Sequence, residues 1–178
     1  GWNEMNFKSC FALCTLLLIS ACSEPLILNP DAVLPDGSRY SGGIVDGRFS
    51  GQGKLVYSGG GYYQGGFVDG VFHGNGVLVF ASGDRWEGNF TEGQATGEFT
   101  IISSDTETRY VGGLQNGYMH GKGELTTQEY VYKGDFVLGD FEGHGVYTHS
   151  NGDAYTGEFE ANLYLSLIHI SEPTRPFH

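Results

Sequence analysis

The stretch YYQGGFVDGVFHGNGVLVF, residues Tyr62 to Phe80, decides the fold. Tyr63, Gly65 and Phe67 are spaced by two, which puts them on one face of a β-strand. Between those two bulky side chains, Gly65 leaves room for rings from the neighbouring strand to lie across the backbone, a setting in which a strand tolerates glycine. Asp69-Gly70 follows, a favoured two-residue hairpin pair because its second position readily takes positive φ. The chain then returns through Gly74 and Gly76 into the alternating apolar residues Val77 and Val79. The segment therefore encodes one hairpin.

The same phrase recurs along the chain. An aromatic residue, a glycine two later and a large apolar residue four later occur as Tyr40-Gly42-Ile44, Tyr63-Gly65-Phe67, Trp86-Gly88-Phe90, Tyr110-Gly112-Leu114, Tyr132-Gly134-Phe136 and Tyr155-Gly157-Phe159. The period is about 23 residues, within the range of repeat arrays. Turns fall at Asp46-Gly47, Asp69-Gly70 and Asn116-Gly117, while Glu92-Gly93 and Leu138-Gly139 keep only the glycine. Returning glycine pairs stand at Gly51 and Gly53, Gly74 and Gly76, Gly121 and Gly123, and Gly143 and Gly145. Loops such as Ser58-Gly59-Gly60, Ser82-Gly83-Asp84 and Ser150-Asn151-Gly152 pass the chain onward. Six hairpins in series share buried rings at their boundaries, so stability is a nearest-neighbour sum. At about 4.8 Å per strand the predicted array is on the order of 50–60 Å long. The expected architecture is an all-β, elongated, single-layer antiparallel sheet, preceded by a helical N-terminal segment.

Composition agrees with many short strands: 30 of the 178 residues are glycine and 14% are aromatic. Lys and Arg total 9 against 21 Asp and Glu, a formal charge of -12 that opposes nucleic acids and anionic lipid headgroups. The two ends read differently from the array. From Met5, one basic residue, Lys8, leads into the apolar run Phe11 to Ile19 and then Ser20, Ala21 and Cys22. This has the form of an export signal, too short to remain as a spanning helix. The expected organisation is upstream residues 1–4, signal 5–21, a proline-bearing tether 22–37, a repeat array 38–161 and a non-native tail 162–178. Residues 165–175, LSLIHISEPTR, look like a translated sequencing adaptor and interrupt the sixth repeat.

Leu18 to Cys22 resembles the lipobox of bacterial lipoproteins, which implies cleavage before Cys22 and lipid on its thiol. Ser23, in place of Asp, resembles lipoproteins sent to the outer membrane. Tyr63, Gly65, Phe67, Gly70, His73, Gly74, Gly76 and Gly83 resemble the MORN repeat, and the likeness extends from Tyr40 to Phe159. It is weaker in the third repeat, where Phe99 replaces the second returning glycine and Thr106 the late turn glycine. A hairpin that bends or loosens is expected there. The sixth repeat is expected to stop after Phe159, with Asn162 where its turn glycine belongs. The resemblance implies a scaffold that holds a partner protein, with lipid binding in some members.

No nucleophile elbow, P-loop or strand-to-helix dinucleotide motif is present, so no enzyme and no cofactor are expected. His73 and His120 occupy one repeat position and are expected to be structural, and no metal site is expected. Asp69, Glu87, Glu92, Asp135, Asp140 and Glu142 are expected to form a solvated face. Tyr62, Trp86, Tyr118, Tyr130 and Tyr147 are the candidate binding residues: alternation puts Tyr62 and Tyr63 on opposite faces, and exposed rings favour interfaces. The partner expected is another envelope protein, bound on an aromatic concave face, with the membrane reached through the lipid anchor. A glycan- or phospholipid-binding repeat module is the alternative.

Overall fold

The computed structural model describes residues 32–164, and the segment expected as a helical signal, Cys22 and the adaptor-like residues 165–178 lie outside them. The strands are β1 (Ala32–Val33), β2 (Arg39–Val45), β3 (Arg48–Val56), β4 (Tyr62–Val68), β5 (Val71–Val79), β6 (Arg85–Thr91), β7 (Gln94–Ile102), β8 (Arg109–Gln115), β9 (Tyr118–Thr126), β10 (Tyr130–Val137), β11 (Asp140–His149), β12 (Ala154–Glu160) and β13 (Leu163–Tyr164). They form one 13-stranded sheet in sequence order, and every neighbouring pair is antiparallel. No helix lies among the described residues.

The turns carry out what the Asp-Gly and Asn-Gly pairs announce. Asp69 and Gly70 have φ of 49° and 82°, the left-handed pair of a type I′ turn whose twist matches the strands it joins. Leu138 and Ala161 adopt the same conformation at 49° and 47° without a side chain suited to it. Each turn is also tied to the hairpin before it. The N–H groups of Gly70, Gly93, Gly117, Gly139 and Asn162 donate to the carbonyls of Phe49, Phe72, Ala95, Met119 and Phe141 at 2.8–3.2 Å. These bonds are a direct form of the nearest-neighbour coupling on which a repeat array depends.

The two returning glycines do different work. The first of each pair, such as Gly74 at φ 72°, sits in a bulge where the register against the preceding strand shifts. The second, such as Gly76, faces Gly65 and lies beneath the Tyr63 ring, and a Cβ on either glycine would strike the Tyr63 hydroxyl oxygen. The ring over Gly65 thus comes from its own strand, two residues earlier, and the neighbouring strand supplies only the second glycine. The Tyr63 hydroxyl then donates to the Gly66 carbonyl at 3.0 Å. Tyr40, Tyr110, Tyr132 and Tyr155 repeat the bond to the residue three later, at 2.7–3.1 Å.

These rings make the core, all on one face. Tyr63 and Phe90 are fully buried, and Tyr63 stacks on Phe72 with centroids 3.7 Å apart while meeting Phe67 and Phe90 edge-on. Burying each such side chain contributes roughly 1.5–3 kcal/mol, an upper figure because the unfolded chain is partly collapsed.

One hairpin and two boundaries differ from the sequence reading. The third hairpin does not loosen: Phe99 pairs with both Gly88 and Gly112, is buried, and fills the space that a tyrosine ring occupies elsewhere. The sheet begins inside the expected tether, since Ala32 and Val33 pair with Tyr40 and Arg39. The sixth hairpin does not stop at Phe159: Leu163 and Tyr164 pair with Glu160 and Phe159, so residues 162–164 belong to the array. Asn162 replaces the glycine at φ 69°, and its side-chain oxygen accepts the Phe141 N–H at 2.7 Å.

Candidate functional site

Alternation gives the sheet a second face, opposite the rings. It carries Tyr62, Gln64 and Val68 from β4, Val71, His73, Asn75, Val77 and Val79 from β5, and the matching positions of the other strands. The exposed large hydrophobics of the strands β2 to β11, Val45, Val56, Val68, Ile102, Tyr118, Val137 and Val146, all lie on this face. They fall mostly near its two margins, one beside the hairpin turns and one beside the connecting loops.

The lane between the margins changes character along the sheet. In the first three hairpins it is uncharged at most positions: Gln52, Gln64, Asn75, Asn89 and Val77, with Lys54 and Glu87 beside them. Gln52, Gln64, Asn75, Val77 and Glu87 line a shallow depression of about 390 Å³ whose floor is the backbone of Gly65, Gly76 and Gly88. Asn89 donates to Asn75 at 3.4 Å. From β9 onward the lane is ionic. Lys122 bonds Asp135 at 2.7 Å, Lys133 bonds Glu124 at 3.1 Å and His144 meets Glu158 at 2.8 Å. Such exposed pairs contribute at most about 1 kcal/mol each.

The five candidate aromatics do not form one surface. Tyr62 lies on the exposed face, half-buried, with the Lys54 ammonium 4.4 Å above its ring. Tyr118 lies on the same face and is 53% exposed. Trp86 does not belong to an open stacking surface: it is 5% exposed, on the core face, edge-on to Phe80 at 5.5 Å. Tyr130 and Tyr147 also belong to the core side, stacked on each other at 4.9 Å, and burial raises the Tyr130 pKa. Alternation separates Tyr62 from Tyr63 as expected, but it also sends Trp86, Tyr130 and Tyr147 inward, because each shares strand parity with a core ring.

The remaining polar candidates take local roles. Asp69 meets Arg48 at 3.6 Å, Glu87 accepts from Arg85 at 2.7 Å, and Glu142 accepts the Ala161 N–H at 3.1 Å. His73 is exposed beside a bulge. Among the described residues no three His, Cys, Asp or Glu side chains converge as metal ligands. The amides Gln52, Gln64, Asn75 and Asn89 escaped the sequence reading. Their signal was available: each sits opposite the ring positions of its strand, where a long charged side chain would equally satisfy solvent.

The MORN repeat family matches residues 40–62, 63–85, 110–128 and 132–154. The interval 86–109 left between those matches is the hairpin in which Phe99 and Thr106 depart from the pattern. No curated protein matches the chain.

Proposed function

We propose, for a chain that belongs to the MORN repeat family, a non-enzymatic scaffold role: the sheet face opposite the rings binds another protein at the bacterial envelope, held there by lipid on Cys22. MORN repeats are generally associated with protein–membrane or protein–protein interaction modules. The observation that carries the reading is the one-sided placement of the strands' exposed hydrophobics, from Val45 to Val146, on a face without an internal partner. Rows of such side chains along the margins of one face give a partner apolar surface to cover. The net charge of -12 disfavours the phospholipid alternative on anionic bilayers. Burial of Trp86 removes the ring on which a glycan-stacking surface would have centred.

The test has two arms. Intact-mass analysis and membrane fractionation of the chain expressed from Met5 should give an acylated species beginning at Cys22, released by Cys22→Ser. An unacylated soluble product refutes the anchor. In the second arm, photocrosslinkers at Tyr118 and Val68 should trap an envelope protein that a crosslinker at exposed Glu107, in a connecting loop, does not. Equal trapping from all three positions refutes the face.

A further inference from the structure

The first three hairpins offer a binding lane of defined spacing and chemistry, and the geometry points to a polyproline II segment of the protein partner as its occupant. The inference rests on the scaffold reading and specifies what the exposed face holds. Val56, Val79 and Ile102 occupy the same position on β3, β5 and β7, one per hairpin, along the margin beside the connecting loops, alternating with Tyr62 on β4 and Arg85 on β6. Two strand spacings separate consecutive members, about 9.6 Å. A polyproline II helix completes a turn in three residues of about 3.1 Å each, so the same side of the ligand returns every ~9.3 Å. The second margin, with Val45, Val68 and Val71, lies six to eight residues away along the strands, about 20–26 Å, so the ligand is placed along the first margin and the amides beside it.

Between the margins lie Gln52, Gln64, Asn75 and Asn89. Neither Gln52 nor Gln64 makes a side-chain hydrogen bond within the described residues. Each amide offers two donors and an acceptor. A polyproline II backbone has no internal hydrogen bonds and presents its carbonyls outward, so it accepts from such amides at every turn. The floor can be approached closely. It is the backbone of Gly65, Gly76 and Gly88, which carry no side chain to hold a ligand off.

Other peptide geometries fit less well. Strands β3 to β7 are paired on both edges, so the lane presents no free backbone for strand addition. An amphipathic helix carries its own satisfied backbone and seeks an apolar groove, which a lane of amides does not supply. Beyond β7 the first-margin residues become Thr126 and Thr148 and the amides give way to ion pairs, which confines the occupant to about three hairpins.

The probe is a fluorescein-labelled peptide of ten prolines, spanning ~31 Å, titrated with the full chain and read by fluorescence anisotropy. The reference is a ten-residue Gly/Ser peptide. The expected result is saturable binding of the proline peptide, at least about fivefold tighter than the reference. Gln64→Ala with Asn75→Ala should weaken it about tenfold, the loss expected for two net hydrogen bonds. Val56→Asp with Ile102→Asp should weaken it similarly, while Lys133→Ala in the ionic part of the lane should leave it unchanged. All five positions are solvent-facing, and far-ultraviolet dichroism checks that the sheet is intact. Equal affinity for both peptides, insensitivity to the lane substitutions, or saturable binding of a cello-oligosaccharide in place of the peptide would each overturn the assignment. Loss of the proline peptide with crosslinking from Tyr118 and Val68 preserved refutes this occupant alone. Loss of both refutes the scaffold face itself.

Discussion

Phe99 lies across Gly88: a Cβ added to Gly88 would come within 2.6 Å of the Phe99 Cγ, and the Phe99 ring meets Phe90 edge-on at 5.2 Å. In the second hairpin the equivalent space is shared by Tyr63 over Gly76, with Phe72 stacked against the tyrosine. The third hairpin has Trp86, Phe99 and Ala95 at those three positions. One ring has moved from the position of Phe72 to that of Gly76, and the displaced volume is conserved. Phe99→Gly alone should cost about 3–5 kcal/mol through the cavity it leaves, and Ala95→Phe alone about 1–3 kcal/mol through overpacking. Combined with Trp86→Tyr they restore the arrangement of the second hairpin. Urea unfolding should therefore find the triple variant more stable than the sum of the separate effects by at least about 1 kcal/mol. Additive losses would show that the positions are not exchanging volume.

That exchange marks the limit of what was legible beforehand. The period, the hairpin turns and the shared face of Tyr63, Gly65 and Phe67 follow from spacing, because strand alternation and type I′ turns leave few other solutions. Phe99 looks like a defect in the sequence because a pattern records a missing glycine but not the compensating Ala95, which faces a different residue of the partner strand. Asn162 misled in the same way: it lacks the glycine's freedom, yet it recovers the turn with a side-chain bond to Phe141 that only three-dimensional proximity reveals. The exposed face was half legible. Alternation placed Tyr62 outward, but prominence as aromatics drew attention to Trp86 and Tyr130, while the plainer Gln64 and Asn75 occupy the surface.

Turn strain should be removable at Leu138. This residue takes φ 49° in a turn and is 59% exposed, so nothing packs around it to offset a left-handed backbone. That conformation costs a branched side chain roughly 1–2 kcal/mol, whereas asparagine tolerates it. Leu138→Asn should raise stability by about 1 kcal/mol with an unchanged denaturant slope. Asn116→Ala, at the equivalent turn and φ 50°, should lower it by a similar amount. A stability unchanged in Leu138→Asn would place the strain elsewhere.

Alkaline pH should unfold the sheet through its tyrosines. Burial pushes the Tyr63 pKa up to about 12, and burial together with the charge of Asp135 does the same for Tyr132. Tyr110 shifts upward for the same first reason, with Glu98 adding to it. The native state therefore holds these protons where the unfolded chain releases them, so the stability is intact below the unfolded value near 10 and falls as pH rises toward 12. Tyrosinate absorbance should rise together with loss of the sheet signal. In Tyr63→Phe, which also gives up the bond to Gly66, the alkaline decline should be shallower although stability at neutral pH is lower by about 1 kcal/mol. Titration of all tyrosines near 10 without unfolding would contradict the burial.

The aromatic contacts themselves divide the array. Tyr40, Phe49, Phe67, Tyr63, Phe72, Phe90 and Phe99 are linked ring to ring, as are Tyr110, Phe136, Tyr132, Phe141, Phe159 and Tyr155. Between the two groups stand Leu114 and Met119, a cross-strand pair at the positions that Phe67 and Phe72 fill two hairpins earlier. Aliphatic side chains still bury there, but the stack does not continue through them. In an array held by neighbour interfaces, the weakest interface decides whether the chain unfolds as one body. Leu114→Ala should cost about 2–5 kcal/mol, as Leu78→Ala should in the second hairpin. The two should differ in kind. Hydrogen exchange read by mass spectrometry should show β8 and β9 of Leu114→Ala opening below the denaturant that unfolds β4 and β5, giving two transitions, whereas Leu78→Ala should expose its whole aromatic group together. A single transition in Leu114→Ala would mean that the turn-to-hairpin bonds, such as Gly117 to Ala95 and Gly139 to Met119, couple the halves without the rings.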